Sequence, residues 1–290
     1  MTHKQLELQA EQIREDIINM LVEAGSGHSA GPLGLADIFT ALYFEIMDHR
    51  PKQPDWVDRD RLFLSNGHTV PVRYAAMARA GYFPVKELKT LRKLGSRLQG
   101  HPERTRLPGL ESTSGPLGSG VSQAAGTALA LRMNNNRAHV YVVTGDGELD
   151  EGNIWEAAMF AAKYKLANLT AIIDRNNIQI DGTTDNVMPL GDVAAKFAAF
   201  GWHTIEIDGH NFQAIIDACN LAKAITSTPV AIIAHTIPGK GVDFMEYDYH
   251  WHGNPPGTLD TPGAPPKKDQ ARIALHELRT LGGRIRSEHE

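Results

Sequence analysis

The strongest constraint on the fold lies in residues 140–182, which read VYVVTGDGELDEGNIWEAAMFAAKYKLANLTAIIDRNNIQIDG. An apolar run ends on a carboxylate between two glycines. A segment with helical apolar spacing follows, then a second apolar run that ends on paired asparagines. Strand, turn, helix and strand at this spacing form one right-handed crossover between parallel neighbours. Asp146 and Asn176, thirty positions apart, then sit at the carboxyl ends of adjacent strands. That rim is where open α/β sheets collect ligands. Both runs are almost continuously apolar, as in strands covered on both faces.

The rest of the chain repeats the alternation. Helical periodicity covers 5–23, 34–47, 70–80, 84–94, 120–133, 153–166, 191–200, 211–225 and 268–281, with strands at 61–64, 139–143, 169–174, 203–207 and 230–234. The pattern predicts an α/β fold with a doubly wound, mostly parallel sheet. Residues 1–252 should form this domain, and 253–290 a proline-rich extended linker with a C-terminal helix. Residues 95–118, rich in Gly, Pro, Ser and charge, make a connection too long to be idle. A net charge of -5 gives no reason to expect nucleic acid or an anionic membrane surface as partner. The single Cys219 lies in an amphipathic pattern and reads as a buried thiol, which suits a reducing cytosol. The charged N-terminus lacks the apolar core of a signal peptide, and no run reaches membrane-spanning length. A soluble, cytoplasmic protein is expected.

Asp146, Glu148, Asp150 and Glu151 crowd one turn, and such a cluster repels itself unless a cation sits there. The Asp146 and Asn176 side chains with one backbone carbonyl would supply half of an octahedral Mg²⁺ shell, leaving the rest to phosphate oxygens and water. A second carboxylate beside a diphosphate would repel it by about 4 kcal/mol per charge pair at an effective dielectric of ~20, so a neutral asparagine suits the site. Gly145 and Gly147 allow close backbone approach, and a helix opening at Asn153 would aim amides at the anion. The plain alternative is a tight turn and a loop cap; the two motifs at crossover spacing favour the ion. Five histidines adjoin glycine, namely His28, His68, His101, His210 and His252. Several of them on one rim would form a polar pocket for a hydroxylated, phosphorylated substrate, able to relay protons near pH 7.

GDGELDEGNIWEAA followed by NNIQIDG resembles the thiamine-diphosphate motif in its transketolase form. SGHSAGPLGLAD, LSNGH, GHPE and TSGPLGSG occur in the order and spacing of transketolases over residues 25–120. The resemblance implies thiamine diphosphate and Mg²⁺ as cofactors, with the metal held by Asp146, Asn176 and the Ile178 carbonyl. It implies that His28, His68, His101 and His252 contact cofactor and sugar hydroxyls. Gly115 and Leu117 match the loop that holds the cofactor rings, and Lys240 the loop that closes over the diphosphate. Glu151 matches a glutamate at the dimer interface that links two active sites; the plain alternative is an acid favouring the helix dipole. His210 has no counterpart and reads as a loop residue. Two departures stand out. Ser29 replaces a proline of GHPG, and His250 before Trp251 blurs which histidine faces the substrate; both could alter substrate choice.

Transketolases are more than twice this long, and no second set of strands is evident to carry the glutamate that activates the cofactor's pyrimidine. The resemblance therefore implies an N-terminal subunit that works with a C-terminal, pyrimidine-binding partner, as an α2β2 heterotetramer on sugar phosphates such as those of pentose-phosphate metabolism. Alternatives are a subunit of a deoxyxylulose-phosphate-type synthase or a ketoacid decarboxylase, or a non-catalytic paralogue. The intact Asp146, Asn176 and His28 weigh against the last.

Overall fold

The computed structural model describes residues 1–288. The chain runs α1 (His3–Ala24), α2 (Ala30–Gly34), α3 (Ala36–Ala41), β1 (Arg61–Leu64), α4 (Val70–Ala80), α5 (Ser119–Met133), β2 (Val140–Gly145), α6 (Gly152–Lys163), β3 (Leu169–Arg175), β4 (Ile178–Gln179), β5 (Gly182–Thr183), α7 (Thr184–Val187), α8 (Val193–Ala199), β6 (His203–Asp208), α9 (Phe212–Ala224), β7 (Val230–His235) and α10 (Lys267–Glu288). The five apolar runs form one sheet in the order β1-β2-β3-β7-β6, with every pairing parallel.

Successive strand residues feed two separate cores, as a period of two requires. Leu62, Leu64, Tyr141, Val143, Ile172, Val230 and Ile232 face one side, packed with α1, α3, α4 and α9. Phe63, Val140, Val142, Ala171, Ile173, Ala231 and Ile233 face the other, with α5, α6 and α8. Each fully buried Val, Leu or Ile contributes about 1.5–3 kcal/mol, so the sheet is anchored from both faces. The register sets Gly145 opposite Asp174, and the Asp146 amide donates to the Asp174 carbonyl (3.2 Å). The Gly-Asp-Gly turn and the Asn loop thus leave the sheet at one level.

Three segments depart from the periodicity. Residues 34–47 break into α2, α3 and a wide turn at Leu42–Ile46. The helix expected over 84–94 is a single 3₁₀ turn at Val85–Thr90. There the Thr90 hydroxyl donates to the Glu87 carbonyl (2.8 Å), and Arg92 takes a left-handed φ of 61°. Local side-chain bonds of this kind compete with helix continuation, and Leu94 is left in solvent. The helix N-terminus expected at Asn153 is preceded by a 3₁₀ turn, Gly147–Asp150, and α6 begins at Gly152.

The proline-rich segment is tied down. Gln270, buried on α10, accepts from the Gly257 amide (2.7 Å) and donates to the Leu259 (2.7 Å) and Pro265 (2.9 Å) carbonyls. Ala274 and Leu278 join the core beside α1. Among the described residues no helix is long and apolar enough to cross a membrane.

Candidate functional site

A cavity of about 240 Å³ opens beyond the carboxyl ends of the strands, lined in part by His28, His68 and His252 and by Asp146, Asn176 and Ile178. Gly145, Gly147 and Leu117 line it too. The three imidazoles come from different segments: His28 precedes α2, His68 lies in the 3₁₀ turn after β1, and His252 follows β7 by a long loop. Their ring centroids are 4.7 Å (28–68), 5.5 Å (28–252) and 5.2 Å (68–252) apart. Burial pushes His28 down to about 3, helped by His252, Arg92 and His101. Burial alone holds His252 near 4, and His68 lies well below its ordinary 6.5, from burial and the two neighbouring imidazoles. The cluster is neutral at physiological pH. The Nδ1 atoms of His28 and His252 and the Asn66 Oδ1 are buried without a hydrogen-bond partner. Such atoms are costly unless a ligand satisfies them, and all three residues line the cavity.

Opposite them stands the Gly-Asp-Gly turn. The Asp146 carboxylate is almost wholly buried, with 1% of the residue exposed. Its Oδ1 accepts from the Gly147 amide (2.7 Å), and its Oδ2 from the Asn177 amide (2.6 Å) and Arg175 Nη1 (2.9 Å). Burial pushes the carboxyl up, against the opposing pull of Arg175 and these amides. In the protein alone the cation beside Asp146 is therefore Arg175. This guanidinium also donates to Thr184 Oγ1 (2.7 Å) and lies 3.5 Å from the exposed Asp185. The Asn176 Oδ1 accepts from the Ile178 amide (3.0 Å), and its Nδ2 donates to Asp174 Oδ2 (2.8 Å). Asp174 is fully buried, pushed up to about 7 by burial, and bonded by the Thr236 hydroxyl.

A divalent ion fits this wall. The Asp146 carboxylate, the Asn176 amide oxygen and Ile178 share it, and Arg175 has Thr184 and Asp185 within reach if displaced. Among the described residues no group of three or more His, Cys, Asp or Glu is arranged to hold a metal, so an ion would need this mixed shell completed by a ligand's oxygens.

The other expected residues divide. His101 is exposed at the rim, beside Gly67, where an added Cβ would lie 3.3 Å from the His101 ring. Lys240 is half-buried beyond the lining, and its ammonium has no ion-pair partner among the described residues. Gly115 lies outside the lining as well, two positions before Leu117. Glu151 is exposed and precedes α6 without a side-chain cap bond. The cavity wall takes the turn through Glu148 and no residue of α6; the intervening 3₁₀ turn keeps the start of the helix out of it. His250 is exposed, bonded to Asp248 (2.6 Å) and stacked on Tyr249, so His252 is the cavity histidine. Ser29 is buried, and its hydroxyl donates to the Trp251 (3.0 Å) and Asn254 (2.6 Å) carbonyls. The residue that replaces proline thus fastens the segment bearing His252.

Sequence reasoning missed Glu148. Buried beneath the turn, it accepts from the Gly118 amide (2.6 Å), the Gly145 amide (3.1 Å) and the Ser65 hydroxyl. Burial pushes its carboxyl up, with these donors pulling the other way. One acid of the crowded cluster therefore clamps the 115–118 loop to the Gly-Asp-Gly turn. Its signal was present: an acid between a glycine and a leucine, with no cation nearby in the sequence.

Residues 6–264 match the family described as transketolase, thiamine diphosphate binding domain. The 6-deoxy-6-sulfo-D-fructose transketolase subunit of Clostridium sp. (strain MSTE9) is 44% identical over 248 residues, covering 85% of this chain and 90% of that protein. An apulose-4-phosphate transketolase subunit of Phocaeicola vulgatus is 41% identical over 251 residues, covering 87% and 89%. Transketolase 1 of Pasteurella multocida is 40% identical over 260 residues, which cover 86% of this chain but 39% of that protein. The crystal structure of transketolase from Campylobacter jejuni superposes with a TM-score of 0.83 and 33% identity, covering 99% of this chain and 48% of that one. The chain thus spans about nine tenths of the two subunits and less than half of the two longer transketolases.

Proposed function

The chain belongs to the transketolase family through its thiamine diphosphate-binding domain, and we propose that it is the cofactor-binding subunit of a two-chain enzyme moving a two-carbon ketol unit from a ketose to an aldose. The observation that carries this reading is the cavity itself: three neutral imidazoles, two of them with an unpartnered Nδ1, share it with a buried carboxylate and amide at the tips of adjacent strands. When bound, thiamine diphosphate supplies a carbon centre that can accept the ketol unit and release it.

This chain's residues have separable tasks in that chemistry. The Asp146 and Asn176 side chains and the Ile178 carbonyl would hold Mg²⁺, with Gly145 and Gly147 admitting the diphosphate and Lys240 closing over it. His28, His68 and His252, with His101 at the rim, would orient sugar hydroxyls and exchange protons at ring nitrogens. A neutral imidazole both donates and accepts, so the low proton affinity of the cluster suits that use. Glu148 would fix the 115–118 loop, and Glu151 would lie where two copies meet.

The pyrimidine-binding partner, an α2β2 assembly and a phosphorylated ketose complete the reading. The relatives favour it, since two of them are named as transketolase subunits. Their names point to sulfofructose and apulose 4-phosphate, so a specialised sugar stands beside pentose phosphates as donor. The test is calorimetric titration of thiamine diphosphate into the chain assembled with its companion subunit, with and without Mg²⁺, for wild type and Asp146→Asn. Binding should require the metal, and D146N should weaken it by about 100-fold or more; metal-independent binding, or none, would overturn the reading.

A further inference from the structure

The segment that carries Lys240 leaves β7 as a strap, residues 236–252, and reaches the cavity wall at His252. Its first turn is held by a side chain that the reading above leaves without a task. The Ile237 amide donates to His210 Nε2 (2.8 Å), and His210 Nδ1 lies 2.7 Å from Asp37 Oδ2. Asp37 in turn receives both arms of the Arg14 guanidinium, at 3.1 and 2.6 Å, and Arg14 Nε donates to the Leu33 carbonyl (3.1 Å). The Arg14, Asp37 and His210 side chains are 9%, 8% and 14% exposed. The bonds settle the tautomer: an amide donor faces Nε2 and a carboxylate faces Nδ1, so Nδ1 carries the proton.

The loop around His210 is shaped for this contact. The Gly209 amide donates to the His235 carbonyl (2.8 Å), and a Cβ at Gly209 would lie 2.6 Å from Thr236 Cγ2. On the other side, a Cβ at Gly34 would lie 2.8 Å from the Ile237 carbonyl oxygen. Ile237 is therefore gripped between α2 and the β6–α9 loop. Downstream, the Gly239 amide donates to the Ala30 carbonyl (2.9 Å), and Ser29 holds Trp251 and Asn254. The strap is tied at its base by His210 and at its far end beside His28.

We propose that His210 is a positioning residue: with Asp37 and Arg14 it fixes the base of the strap, and so the placement of His252 in the cavity wall and of Lys240 beyond it. This rests on the functional reading for what the strap does, though not for how it is held. A histidine suits the position because one rigid ring must join an acceptor and a donor on opposite sides; phenylalanine fills similar space and makes neither bond.

The test combines peptide-resolved hydrogen exchange on the full chain with calorimetric titration of thiamine diphosphate at saturating Mg²⁺ into the chain assembled with its companion subunit. His210→Phe should speed exchange across 236–252 by about tenfold while β7 stays as protected as in wild type, and should weaken cofactor binding by a similar factor. His210→Gln, which offers an amide N–H to Asp37 and an oxygen to Ile237, should recover most of both. Should His210→Phe not fold, His210→Asn, too short to span both partners, is measured in its place. Unchanged exchange in the strap, or loss spread evenly over the sheet, would overturn the proposal. If wild type itself fails to bind the cofactor, the functional reading falls, and the exchange pattern still decides whether His210 holds the strap.

Discussion

At the scale of single residues, the ion pair between Arg175 and Asp146 makes two forms of the protein unequal in what they require. Without a metal, Arg175→Gln leaves a carboxylate that is 1% exposed facing two amides and no cation. Removing one partner of a buried pair costs about 3–5 kcal/mol; the 16% exposure of the Arg175 side chain places this case at the lower end. The metal-free variant should melt earlier, and saturating Mg²⁺ with thiamine diphosphate should restore most of the loss, because the ion takes over the charge. Calorimetric melting in the four conditions checks both. The histidine cluster gives a pH signature. His28 near 3 and His252 near 4 lie below their ordinary 6.5, so the unfolded chain takes up protons first as pH falls. Stability fully present above about 6.5 should be lost toward pH 4, with a slope of about 1.4 kcal/mol per pH unit for each such histidine. His139, also pushed down to about 3 by burial and Lys223, adds to it. Urea midpoints between pH 4 and 7 should show a shallower slope for His28→Asn.

At the scale of elements, Gln270 is the most exposed weakness of the C-terminal fold-back. It joins α10 to the backbone of 257–265 by three bonds. Gln270→Ala should remove these bonds to the Gly257 amide and the Leu259 and Pro265 carbonyls, costing about 1 kcal/mol, and should open residues 253–266 to limited proteolysis while the sheet stays intact. This segment also shows where sequence reading stops. Four of the five strands were legible because both faces are apolar, β6 because its isoleucines alternate with polar residues, and the α1, α4, α5, α6 and α9 helices because their apolar spacing is regular. The prolines of 253–266 signal an extended chain, but which side chain ties it down depends on a glutamine thirteen residues past Gly257. In the site the same limit holds. Asp146, Asn176, His28, His68 and His252 were legible because each sits beside a glycine or at the end of a strand. Arg175 on Asp146, Glu148 under Gly118 and His210 under Ile237 were not, because each pairs with a partner distant in sequence or with a backbone group that no side-chain pattern records.

At the scale of the whole molecule, two groups of exposed apolar side chains stand out, one in the cavity wall and one on α6. Leu117 and Ile180 line the cavity yet are 36% and 66% exposed. On α6, the helix that follows the Gly-Asp-Gly turn, Met159 and Phe160 are exposed, as is Tyr164 just past its end, and the Phe160 and Tyr164 rings lie 4.7 Å apart. Exposed apolar side chains grouped on one helix mark an interaction surface rather than random exposure. The proposed two-chain enzyme supplies an occupant, and this chain spans 48% of the C. jejuni transketolase. Phe160→Glu changes no core contact, so its melting temperature should stay within a few degrees of wild type. A charge buried in an interface is costly, however, and association with a second copy or with the companion chain should weaken by about 100-fold, read by sedimentation velocity. Ketol transfer should be absent for the wild-type chain alone with saturating Mg²⁺ and thiamine diphosphate, should appear on adding the companion, and should fall with F160E at dilute protein but recover as concentration rises. That recovery separates lost assembly from lost chemistry, since Asp146→Asn should stay inactive at every concentration. An F160E variant that assembles as wild type does would place the partner on another face.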